Sequence, residues 1–98
     1  MDHYVVVQLT PKNPELLQKY FAVGRAAVEK HGGQAIAGGP DRMVLEENGA
    51  GDPASVLLRF PSKDAAHAWI DDPELAEVHD LRRRGAATTI TMLPPMPS

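Results

Sequence analysis

The chain has 98 residues, 43% apolar and 23% charged, with a formal net charge of −3, which fits one globular domain over residues 1–98 with a modest core. It has no cysteine and no basic cluster beyond Arg82–Arg84. That excludes disulfides, thiolate metal sites and cysteine nucleophiles, and it argues against nucleic acid as a partner. No apolar stretch reaches the ~18 residues of a membrane span, and MDHYVVVQLTPKN lacks the marks of a secretion signal, so a cytoplasmic protein with no membrane partner is expected.

HYVVVQL (His3–Leu9) is β-branched and aromatic and predicts a strand. In TPKNPELL, Asn13 is placed to cap a helix, Pro14 suits its first position and Glu15 complements its dipole. Leu17, Tyr20, Phe21, Gly24, Ala27 and Val28 recur at three- and four-residue spacings, predicting an amphipathic helix over about 14–31 that stops at Gly32. Gln34–Ala37 and Arg42–Glu46 both read as extended, and Gly38, Gly39 and Pro40 interrupt them. The expectation is one strand broken by a bulge, followed by a hairpin connection at Asn48–Pro53. Ser55–Phe60 reads as a strand, and Ser62 caps a helix over about 63–71. Asp72 and Pro73 restart a helix that runs to about Arg84, and Ala86–Leu93 is the last strand. The tail over 94–98 is proline-rich and expected to fray.

Strand, helix, strand, strand, helix pair, strand is the order of a ferredoxin-like βαββαβ unit: a four-stranded antiparallel sheet with its helices on one face. The other face should alternate apolar and polar if it meets water. YVVV, VLL and ITML instead place apolar residues on both sides. The expected partner is therefore a second copy of the chain, docked through the open sheet face.

YVVVQL at the start, Tyr20, HGG (His31–Gly33), VLE (Val44–Glu46), FPSKDAAHAW (Phe60–Trp69), DPE (Asp72, Pro73, Glu74) and LR (Leu81, Arg82) stand in an order that resembles the family called domain of unknown function 1330, within the dimeric α+β barrel superfamily. The resemblance runs from about Tyr4 to Leu93. It implies a ferredoxin-like fold and a dimer whose sheets face each other, and no particular reaction. The wider superfamily includes cofactor-independent oxygenases, haem-handling proteins and isomerases. Leu75 stands where the family usually has Tyr, and Glu47 where Gly usually follows LE. If either position lines a pocket, the resemblance implies a changed ligand preference.

Five residues are candidates for a ligand pocket: Tyr20, Glu46, Trp69, His79 and Arg82. Arg82, Arg83 and Arg84 occupy the last turn of a helix, where cations complement the dipole, and Asp80 and Arg84 are an i,i+4 pair. Successive helical residues diverge by about 100°. Arg82, four residues after Val78 and seven after Leu75, continues the apolar stripe and faces an internal carboxylate or a ligand anion. Trp69 among Ala65, Ala66 and Ile70 reads as core or pocket wall. Tyr20 lies on the inner face of the first helix. Glu46 ends an apolar strand, where it pairs with Arg59, meets solvent or acts as a base. His3, His31, His67 and His79 form no metal motif, so no metal and no cofactor is called for.

Three readings follow. The first is a homodimer that binds a small organic molecule between helices and sheet. The second is a cofactor-independent oxygenase- or isomerase-like enzyme using Tyr20, Glu46, His79 or Arg82. The third is a structural or partner-binding dimer without ligand.

Overall fold

The computed structural model describes residues 1–97; Ser98, the end of the tail expected to fray, lies outside them. The first strand, β1 (His3–Pro11), buries Val5, Val7 and Leu9 on one side, the two-residue alternation of a strand with one covered face. Helix α1 (Pro14–Lys30) starts where Asn13 Oδ1 accepts the Leu16 N–H at 3.2 Å. It buries Leu17, Tyr20, Gly24, Ala27 and Val28, while Phe21, expected in the same stripe, is 54% exposed. Next come β2 (Gln34–Ala37), β3 (Ala54–Phe60) and α2 (Lys63–Asp71), the last capped by Ser62 Oγ accepting the Ala65 N–H at 3.0 Å. A 3₁₀ turn (Pro73–Leu75), helix α3 (Ala76–Gly85) and β4 (Ala86–Leu93) complete the order.

The strands form one antiparallel sheet in the order β2-β3-β1-β4. The helices cover one face, and the chain is a ferredoxin-like α+β fold. Phe60 and Trp69 are the largest apolar side chains at the centre of the core, 0% and 2% exposed, with ring centroids 5.4 Å apart. Burying such a ring contributes about 1.5–3 kcal/mol. Helix α3 comes very close to α1 through Gly85. A Cβ there would sit 2.8 Å from the Leu17 backbone N, and the Gly85 carbonyl accepts the N–H groups of Lys12 and Asn13 at 2.8 and 2.9 Å. Any larger residue would push the helices apart.

Two expected elements differ. Arg42–Glu46 forms no strand: β2 ends at Ala37, and residues 38–53 run without regular structure. The only irregularity within β2 is a register shift between Ala35 and Ala37. Gly38, Gly39 and Pro40 thus end the strand instead of bulging it. The helix expected from Pro73 to Arg84 begins as a tighter turn. There Asp72 Oδ1 accepts the Glu74 N–H at 2.8 Å, and α3 proper starts at Ala76.

Strand alternation turns Tyr4 and Val6 of β1 and Leu57 of β3 away from the helices, and cross-strand pairing brings Val6 opposite Leu57 and Thr91. From β4 the same face receives Thr89, Thr91 and Leu93, whereas Ile90 and Met92 pack toward the core. The bare face carries Tyr4, Val6 and Leu57 with Gln8, Ser55 and Arg59 beside them and is mostly threonine along β4, so neither VLL nor ITML makes both faces of its strand apolar throughout.

Candidate functional site

The helices leave the β2 edge uncovered, and all four of its residues are exposed. A cleft of about 740 Å³ opens there between α1 and the sheet, walled by Leu9, Leu17, Phe21, Ala35 and Val56, with Gly38–Pro40 and Arg42 at its outer side. A smaller recess of about 230 Å³ shares Leu9, Phe21, Ala35 and Val56 and reaches inward to Tyr20 and Gly24. Gly24 favours that depth: a Cβ there would lie 3.1 Å from Tyr20 Cζ, so the ring would have to give by a few tenths of an ångström to make room for a larger residue. Phe21 is exposed because it guards this opening instead of filling the core.

Behind Tyr20 lies a buried polar chain. The Arg82 guanidinium carbon is 5.7 Å from the Tyr20 ring centroid and 5.9 Å from that of Trp69, within cation–π range. Arg82 Nη1 donates to His79 Nδ1 at 2.7 Å, and His79 Nε2 lies 2.9 Å from the Trp69 carbonyl oxygen. Arginine has no acceptor, so Nδ1 must accept and Nε2–H must donate; His79 is the neutral Nε2–H tautomer. Burial lowers the His79 pKa from its ordinary value, and the charges of Arg82 and Arg83 push the same way against the Trp69 carbonyl. Arg82 is 1% exposed, and burial also lowers its pKa, with the Tyr20 phenol opposing. Arg82 Nε has no partner, and no carboxylate forms an ion pair with Arg82 among the described residues.

The structure thus gathers Tyr20, Trp69, His79 and Arg82 and leaves Glu46 out. Glu46 is exposed in the long connection, and its expected pairing with Arg59 does not form, because the strand that would have carried it is absent. Arg59 instead approaches Asp2 at 3.9 Å and donates to the Gln34 side chain. It lies on β3, which has a neighbouring strand on each side. Arg82 does face inward while Arg83 and Arg84 are exposed, but its partner is an imidazole and not the internal carboxylate weighed for it. Arg82 lines neither cleft; it sits against the Tyr20 ring, which lines the smaller recess. Leu75 is buried outside both clefts, and Glu47 caps the connection by accepting from the Gly49 and Gly51 N–H groups. Phe21 and Ala35 were missed as cleft residues. The signal available was a Phe beside Tyr20 at the shoulder of the helical stripe. No three acidic or histidine side chains gather as a metal set among the described residues.

A one-sided antiparallel sheet with an apolar helix–sheet cleft places the chain among ferredoxin-like α+β proteins. The pattern of the family Domain of unknown function (DUF1330) matches residues 2–96, and the chain belongs to that family. Three solved structures show the same fold. A protein of unknown function from Rhodopseudomonas palustris, RPA0582, is 18% identical over 99% of this chain and 84% of its own, with a TM-score of 0.73. A dimeric ferredoxin-like protein of unknown function from Jannaschia sp. CCS1 is 17% identical over 97% of this chain and 100% of its own, with a TM-score of 0.74. SnoaB, a cofactor-independent oxygenase from Streptomyces nogalater, is 14% identical over 99% of this chain and 95% of its own, with a TM-score of 0.65. No curated protein matches the sequence. Among the described residues no helix is long and apolar enough to cross a membrane.

Proposed function

We propose that this protein is a homodimer, formed through the open sheet face, that binds a small, largely apolar organic molecule in the cleft between α1 and the β1–β3–β2 part of the sheet. The observation that carries the reading is Tyr20. Its ring lines the inner recess of a largely apolar cleft, with Arg25 at that recess, and a buried guanidinium without a counter-ion stands behind it. Burying an unpaired cation costs stability, and a ligand acceptor group hydrogen-bonded to Tyr20 recovers part of that cost. The cleft volume lies within the ~300–1,000 Å³ usual for small-molecule sites. A dimeric relative of the same fold supports the oligomer.

The test uses native mass spectrometry of the purified protein, then thermal shift against aromatic and alicyclic ketones and carboxylic acids. Ala35→Trp fills the cleft from an exposed edge position and should abolish the shift with the fold intact. Tyr20→Phe should weaken binding roughly tenfold, the worth of about one hydrogen bond. Binding unaffected by both changes overturns the reading.

A second reading, a cofactor-independent oxygenase, is favoured by the Tyr20–Arg82–His79 chain, which could steady a developing oxyanion on a bound substrate. Oxygen uptake with the same compounds, lost in Tyr20→Phe, separates it from binding alone.

A further inference from the structure

The residues that line the cleft and its inner recess carry charge of one sign only. The chain has 13 acidic residues against 10 lysines and arginines. Among the described residues, however, no acidic side chain lines either space, and the charged side chains that do are Arg25 and Arg42. Arg82, buried and without a carboxylate partner, adds a third positive charge against the Tyr20 ring that lines the recess. Apolar walls screen such charges far less than open water does, so an anion is favoured there and a cation is repelled.

The two lining arginines differ in how far they are committed. Arg42 gives Nε and Nη2 to the Asp52 carboxylate at 3.2 and 3.1 Å, and Nη2 again to the Asp52 carbonyl at 3.3 Å. Its planar fork is already occupied. Arg25 gives only Nε, to Glu29 Oε1 at 3.1 Å, in an i,i+4 pair whose side chains are both exposed. A pair of that kind contributes little and exchanges readily. Neither Nη group of Arg25 has a protein partner among the described residues. Two parallel N–H groups on one planar fork match the two oxygens of a carboxylate. Arg25 follows Tyr20 by five residues on α1, and both line the same recess.

We infer that the ligand is a small apolar carboxylic acid bound as its anion, and that Arg25 is the residue that selects it. The two Nη groups hold the carboxylate at the inner recess, the Tyr20 O–H donates to one of the same oxygens, and the apolar body lies along Leu9, Ala35 and Val56. The inference rests on the ligand-binding reading above and adds to it the charge of the ligand and the residue that reads that charge. Glu29 is then a competitor for Arg25 and not a part of the site.

Isothermal titration calorimetry with naphthoic acid and cyclohexanecarboxylic acid, each beside its primary amide, tests this at neutral pH. The amide keeps the shape and an acceptor oxygen and removes the charge. Each acid should bind about tenfold tighter than its amide, the worth of a charge-assisted hydrogen bond over a neutral one. Arg25→Gln, at an exposed position where circular dichroism and melting should match the wild type, should bring each acid to the level of its amide and leave the amide unchanged. Glu29→Gln should keep or raise acid affinity, because it frees Arg25. Amides that bind as tightly as acids, or aromatic and alicyclic ketones that bind where the acids do not, overturn the inference and leave the cleft reading standing. An acid preference that survives Arg25→Gln, or is lost in Glu29→Gln, overturns the role given to Arg25. No binding by acids, amides or ketones overturns the inference and the cleft reading together.

Discussion

Arg82 donates to His79 Nδ1 at 2.7 Å, so a buried cation is held by a group that must stay neutral to hold it. Two linked consequences follow: His79 cannot be protonated without breaking the pair, and Arg82 gains no charge compensation from inside the fold.

The pH dependence follows from His79. Its folded pKa is lowered below the ordinary ~6.5, so the unfolded chain binds the extra proton first as pH falls. This contribution is whole above about pH 6.5 and is lost progressively as pH drops below it toward the folded pKa. Thermal melts from pH 8 to pH 5 should show a falling midpoint. His79→Gln, which does not titrate there, should show a flatter curve over the same window.

The three arginines should separate. Arg82→Ala empties a core volume and strands the His79 acceptor, costing about 2–4 kcal/mol. Arg82→Met fills the space and removes the buried charge but strands the same His79 acceptor, so it should cost less than Arg82→Ala, about 1–2 kcal/mol. Arg83→Ala and Arg84→Ala lie at exposed positions and should stay within about 0.5 kcal/mol. Urea titrations of the four variants check the order. If Arg82→Met keeps stability but loses ligand, the guanidinium serves the site and not the fold.

What the sequence shows most clearly is local. Asn13, Ser62 and Asp72 cap where their spacing to the following residues says they should, because a cap needs only its own next turn. Helix α3 was harder. Its apolar residues Leu75, Val78 and Leu81 predict the buried stripe, but Val78 and Leu81 are only half-buried while His79, Arg82 and Gly85 are buried. Gly85 against Leu17 sets the roll of the helix, and residues at steps of three from Gly85 turn inward with it. That contact lies between elements and leaves no trace in a hydropathy pattern. Arg42–Glu46 has the propensity of a strand and no strand of its own chain to pair with, so Glu46 could not be placed from local signals. The cleft is a gap at the β2 edge, set by how far α1 reaches across the sheet.

Lys30, His31, Asp72 and Glu74 tie the end of α1 to the turn before α3. Lys30 Nζ donates to Asp72 Oδ2 and Glu74 Oε2, both at 2.8 Å, and His31 Nε2 lies 2.8 Å from Asp72 Oδ2. The Lys30 and His31 contacts, with the Glu74 N–H, hold the Asp72 carboxyl well below the usual carboxylate range. Its stabilising effect is therefore present above about pH 4 and fades only as acid reaches the folded pKa. Asp72→Asn should lower the melting midpoint at pH 7, and the gap to the wild type should close in strong acid. Glu74→Gln, at an exposed position, should do less.

Trp69 reports on the whole arrangement, because it touches Phe60, His79 and Arg82 at once: ring centroids 5.4 and 5.2 Å away and the guanidinium carbon at 5.9 Å. It is the only tryptophan in the chain. At 2% exposure its emission should be blue-shifted in the native state and move red only on unfolding. Trp69→Ala should cost about 3–5 kcal/mol, a large part of the stability of so small a domain. Trp69→Phe keeps most of the packing and should cost less, so it separates volume from the indole. Ligand reaching Tyr20 also reaches the neighbourhood of Arg82, and saturating a binding compound should change Trp69 emission intensity in the wild type but not in Ala35→Trp,Trp69→Phe, where the remaining indole lies in the blocked cleft. Native emission near that of free indole in water would refute the burial of Trp69 and with it the Tyr20–Arg82–His79 arrangement built around it.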